Sequence, residues 1–145
     1  MSTATSSTTD RPDTARLADR VNRASFGLVI MLVIQFVLGV AYNLWGKMPS
    51  PGKSIGMFSS PLLAIHVIFG ILLILAAIDL LVRSIRSHQR VALITSIVGL
   101  VAMIAAAGAG SSFTSDGANG ASFGMTLATG IAMIAYLVNL RAPRA

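Results

Sequence analysis

Four stretches of this 145-residue chain, at 25–45, 61–82, 91–110 and 121–140, are almost continuously apolar, and Asp79 is the only charged side chain within them. A helix advances 1.5 Å per residue, so about 20 such residues cross the roughly 30 Å of hydrocarbon in a bilayer. Only 11% of the chain is charged, against about 25% in soluble domains, which must keep water on their surfaces. Lipid offers the backbone no hydrogen bonds, so only helices and closed barrels pass through it. Barrel strands are short and alternate polar with apolar residues, and these runs do neither. The expectation is an all-α fold, a four-transmembrane-helix antiparallel bundle. A soluble enzyme, a disordered tail and a nucleic-acid reader are excluded.

Basic residues give the expected orientation, because Lys and Arg resist translocation and stay cytoplasmic. Arg11, Arg16, Arg20 and Arg23 precede the first span, Arg83, Arg86 and Arg90 join the second to the third, and Arg141 and Arg144 follow the fourth. Only Lys47 and Lys53 fall on the other side. Both termini are therefore expected in the cytoplasm, and the net charge of +6 is mostly a topology signal, with anionic-lipid contact as an alternative role. Tyr42 and Trp45 are expected at the outer interface, where amphipathic rings prefer to sit. A basic leader before an apolar run also invites a signal-peptide reading, with Gly39-Val40-Ala41 as a small-x-small site. The run continues past that site to Trp45, longer than a signal core of about 7–15 residues, so the first span is expected to be retained.

The chain divides into a Ser/Thr-rich disordered tail with a short basic juxtamembrane helix (1–24), one membrane domain (25–140) and a basic cytoplasmic tail (141–145). Asp13 is a candidate cap for the juxtamembrane helix. Ser60 followed by Pro61 is a cap and first-turn pair that fixes the start of the second span. The loop between them carries Pro49, Pro51, Gly52 and Gly56, with Met48, Ile55, Met57 and Phe58 as apolar anchors. It is expected to rest on headgroups, with folding back over the bundle mouth as the alternative.

Helices in lipid associate through close van der Waals contact and scattered hydrogen bonds, since lipid tails are as apolar as Leu. Small residues at four-residue spacing mark where: Ala102, Ala106 and Gly110 on the third span, and Gly120, Gly124, Ala128 and Ala132 on the fourth. These rows are expected to face each other in the tightest hairpin of the bundle. On the first span Gln35, Gly39 and Asn43 should face inward, as should His66, Gly70, Leu73 and Ala77 on the second.

His66 is the most informative residue, because an ionisable group inside a span is a functional hypothesis by default. Asn43, Ser111, Ser122 and Thr126 are expected at its depth. His66, Asn43, Ser122 and Thr126 form a candidate ligand site, while the plainer reading makes His66 a hydrogen-bonded contact between helices. Small four-helix b-type cytochromes place histidines within their spans, and the chain resembles them in helix number and in His66. The other histidine, His88, falls in the opposite loop, so the resemblance implies haem b held by His66 with Met125 rather than by two histidines. The chain is similar to small multidrug-resistance transporters in length and helix number. Those need an intramembrane acid in the first span, where this sequence has the neutral Gln35. Asp79 and Arg83 are four apart in the favourable order for a local ion pair.

The chain has no cysteine, no Ser-His-Asp order, no phosphate loop and no metal-ligand cluster, so it is not expected to be an enzyme or to hold a metal. In layout and size it resembles the small, uncharacterised four-helix integral membrane proteins of bacteria, and its Arg-rich, Ala-rich composition points to a bacterial inner (plasma) membrane. The resemblance implies a protein that acts by helix packing, as an accessory subunit or a small homo-oligomer. Its partners would be the lipid bilayer, other membrane proteins or itself, and no nucleic acid. A ligand- or haem-binding protein built on His66 and a small transporter or channel component are the alternatives.

Overall fold

The computed structural model describes residues 11–46, 50, 53–116 and 119–141. They form four α-helices, α1 (Arg11–Trp45), α2 (Pro61–Ser87), α3 (Arg90–Asp116) and α4 (Asn119–Arg141), with no strand among the described residues. All four are long and apolar enough to cross a membrane. The expected tail at 1–10, the end at 142–145 and the anchor Met48 lie outside the described residues.

All four helices run past their apolar stretches, α1 and α3 furthest. α1 is continuous over 35 residues, about 52 Å at 1.5 Å per residue, so the basic segment before Ser25 is part of the first helix and not a separate short one. It starts before Asp13, with Pro12 in its first turn, a position that has no use for the missing N–H. Ala18, Val21 and Ser25 are buried, which holds this extension against the bundle. α3 runs past Gly110 to Asp116 because its polar residues serve the helix. The hydroxyls of Ser112, Thr114 and Ser115 all donate back to carbonyls three or four residues earlier.

The inward faces explain how the helices assemble. On α1 the seam runs Ala18, Val21, Ser25, Leu28, Leu32, Gln35, Gly39 and Tyr42. On α2 it runs Leu63, His66, Gly70, Leu73, Ala77, Leu80 and Ser84. All are buried or partly buried, and both series alternate steps of three and four, the 3.5-residue repeat of a coiled-coil seam. Outside the seams Val37, Leu75, Ile94, Val101 and Ile134 are exposed, a surface suited to lipid and one that would associate in water. α1 packs on α2 and α4, α3 packs on α2 and α4, and the α3–α4 contact is the most extensive.

One half of the seam is filled by Leu28, Leu32, Leu73, Leu80, Met103 and Tyr136, all buried in one cluster. Two hydrogen-bonded pairs sit at the arginine-rich end of this half. Asn139 Nδ2 donates to Ser25 Oγ at 2.8 Å, and Ser25 in turn donates to Val21 O at 2.9 Å. Ser84 Oγ donates to Leu80 O at 2.9 Å and lies 2.8 Å from Ser96 Oγ, so Ser96 supplies the proton between them. Each pair ties two helices without leaving a hydroxyl unmet.

The ends of α2 follow from local chemistry. Ser60 Oγ accepts from Leu63 N at 3.3 Å and Pro61 opens the helix. At the other end His88 takes a left-handed conformation (φ 53) and its N–H reaches Ile85 O at 3.3 Å, turning the chain into α3. Asp79 and Arg83 pair at 2.7 Å on the exposed side of α2.

The loop after α1 folds back. Ile55 N–H donates to Thr114 O at 2.8 Å, and the Ile55 side chain packs on Tyr42, Leu63 and Phe113. Phe58 is exposed at 70% and Met57 at 44%, so of the described anchors Ile55 alone is partly buried. Trp45 is exposed, and Tyr42 is buried at 5%, because it falls on the inward seam three residues after Gly39.

Candidate functional site

The second half of the seam is only partly filled, by the Tyr42, Leu63 and Phe113 cluster at its far end. Gly39, Gly70, Ala106 and Gly110 occupy inward positions on α1, α2 and α3, and all four line a cavity of about 360 Å³. That volume falls within the roughly 300–1,000 Å³ of small-molecule sites. Part of the small-residue row on α3 therefore lines the cavity as well as facing α4. Ala102 remains in the packed half with Ala128 and Ala132, all buried. At the cavity end Gly110 faces the Met125 sulfur, which a Cβ would approach to a tight 3.2 Å, and Gly124 faces Ala109.

A reciprocal glycine arrangement seats the polar pair in the cavity wall. A Cβ on Gly39 of α1 would lie 3.3 Å from His66 Cε1, and a Cβ on Gly70 of α2 would lie 3.1 Å from Gln35 Nε2. Each helix thus lacks a side chain where the other places its polar group, four residues along the seam. Gln35 Nε2 donates to the His66 carbonyl at 3.1 Å and lies 3.2 Å from His66 Nε2. Turning the amide over would set two oxygens 3.1 Å apart, so both contacts are made by the NH₂ group. His66 Nε2 is consequently an acceptor, and the proton of the neutral imidazole is on Nδ1. Gln35 Oε1 and His66 Nδ1 are then a buried acceptor and a buried donor, and neither has a partner among the described residues.

All the residues expected at the depth of His66 are brought together here. Asn43, Ser111, Ser122, Thr126 and Met125 line the same cavity as His66. Asn43 Nδ2 donates to Ser122 Oγ at 3.1 Å, joining α1 to α4, and Thr126 Oγ1 donates to Ser122 O at 3.0 Å within its own helix. The two proposed haem ligands face different neighbours: His66 lies against Gly39 of α1 and Met125 against Gly110 of α3. The residue that sequence reasoning left unpaired with His66 was Gln35. Its inward position was legible from the spacing, but the contact depends on how α1 and α2 are placed.

Among the described residues no Asp, Glu, Lys or Arg lines the cavity, and no cluster of three metal-binding side chains occurs. Ile55 and its hydrogen bond to Thr114 cover the end near Trp45. Several lining residues are themselves exposed: Phe36, Val40 and Thr126 on α1 and α4, and Ile71, Ala107 and Ser111 on α2 and α3. The cavity therefore opens sideways, between neighbouring helices, onto the apolar faces. The arrangement can hold an uncharged molecule and offer it hydrogen bonds from one wall. No protein-family model matches the sequence, and neither a curated protein nor a solved structure matches the chain.

Proposed function

We propose that this protein is a non-enzymatic, multi-pass protein of a bacterial inner membrane that holds a mainly apolar small molecule between its four helices. The observation that carries the reading is the laterally open cavity with Gln35 and His66 in its wall. Action by packing alone, as a subunit or homo-oligomer, would leave that space without a role, although about 24 cal/mol of stability is lost per Å³ of unfilled core in soluble proteins. The bundle is antiparallel, with both termini cytoplasmic. Helix pairing such as Ser25 with Asn139 and Asn43 with Ser122 supports the first part, and nine Arg against two Lys supports the second.

The test is native mass spectrometry of the full chain released from its own membrane. The wild type should carry a bound small molecule, and Ala106→Phe, which puts a ring into the cavity, should lose it while its unfolding free energy stays within about 2 kcal/mol of the wild type. An empty wild type, or an adduct that Ala106→Phe leaves untouched, would contradict the reading.

A further inference from the structure

The unmet atoms in the wall narrow the class of molecule, an inference that rests on the cavity's being a binding site. We infer that the occupant is a neutral, lipid-soluble molecule whose polar end is a hydroxyl group, an alcohol or phenol on an apolar body, entering from the bilayer between the helices.

Neutrality comes from the lining. With no charged side chain among the described residues on the cavity, an ionised head would be taken from water into a low-dielectric space without a counter-charge, which is strongly unfavourable. The hydroxyl comes from the pair of unmet atoms. His66 Nδ1–H needs an acceptor and Gln35 Oε1 needs a donor. A carbonyl or an ether supplies only the first, and a hydroxyl supplies both through one oxygen. Both atoms belong to side chains that line the cavity, and torsions ending in a planar group are broad. In the conformation seen both atoms are covered, so an occupant reaches them only as the imidazole and the amide turn and exchange the Gln35 Nε2 contacts with His66 for contacts with its hydroxyl. The apolar body follows from Leu32, Leu73, Ile74 and Met103, which line the deep end. The lateral route follows from the exposed lining residues Phe36 and Val40 on one side and Ile71 and Ala107 on the other.

The experiment compares para-nonylphenol with its methyl ether, which keeps the acceptor oxygen and loses the donor, in titrations of the detergent-solubilised full chain. The same pair is measured on Gln35→Met, with His66→Leu as a second variant should the first fail to fold. Comparing the phenol-to-ether ratio between proteins cancels the different partitioning of the two probes into detergent. The wild type should show a preference for the phenol about tenfold greater than either variant, the loss expected when one buried hydrogen-bonding group goes unmet. The carboxylate of para-nonylbenzoic acid should bind more weakly than both. Equal phenol-to-ether ratios in the wild type and a folded variant would overturn the hydroxyl assignment while leaving the cavity reading standing. Failure of the wild type to bind either neutral probe would overturn both.

Discussion

Gly99→Ala is the sharpest test of how α3 and α4 pack. A Cβ at Gly99 would lie 2.6 Å from the Tyr136 hydroxyl oxygen and 2.7 Å from its Cε1. Comfortable contact needs about 3.5–4.0 Å, so the ring must retreat by about 1 Å. It has nowhere to go: Tyr136 is fully buried at 0% exposure, and its hydroxyl rests on the Met103 sulfur at 3.6 Å. Overpacking of this kind costs about 1–3 kcal/mol, and the better helix propensity of Ala returns up to about 1 kcal/mol. The control is Gly108→Ala on the same helix, where a Cβ meets nothing within 4 Å. The propensity gain is common to both variants, so their difference isolates the steric cost at about 1–3 kcal/mol. Unfolding in mixed micelles on titration with a denaturing detergent, followed by far-ultraviolet circular dichroism, measures it. Adding Tyr136→Leu to Gly99→Ala should recover part of the loss, as neighbours in contact do not behave additively. Equal stability of the Gly99 and Gly108 variants would refute the packing described here.

Other outcomes follow from the same contacts. Asn139→Ala should lower stability by about 0.6 kcal/mol and at most about 1.7 kcal/mol, the range measured for hydrogen bonds between membrane helices. A double-mutant cycle with Ser25→Ala should show most of that as coupling, and a zero coupling would count against the pair. Ser60→Ala should cost about 1 kcal/mol through loss of the α2 cap, visible as a lower unfolding midpoint, and no change would mean that the hydroxyl does not cap. A fluorescent-protein fusion at either terminus should fluoresce and an alkaline-phosphatase fusion should be inactive. The reverse result at either end would contradict the assigned orientation.

The four helices were legible in the sequence because apolar length alone decides them, and the α2 start because Ser60-Pro61 carries its own cap. The start of α1 and the ends of α2 and α3 were not, since a helix continues through polar residues wherever its backbone groups can be met, as at Ser112, Thr114 and Ser115. The members of the candidate site were readable one helix at a time from their seam spacing. Their relation was not. Small residues at inward positions are compatible with close packing and with empty space, and only the placement of the helices separates the two. Ala102 fell into the packed half, while Ala106 and Gly110, one and two turns further along α3, line the cavity. The pairing of Gln35 with His66 likewise depends on the relative height of α1 and α2, which no local pattern encodes.

The central claim is that a molecule from the bilayer reaches the interior of the bundle. It is tested most directly by photolabelling in native membranes with a lipid-soluble diazirine alcohol, followed by peptide mapping. Labels on Leu32, Ile74 and Met103 at the deep end of the cavity, suppressed by an excess of para-nonylphenol and absent in Ala106→Phe, are the predicted result. Labels confined to outward residues such as Val37, Leu75, Ile94 and Ile134 would contradict it.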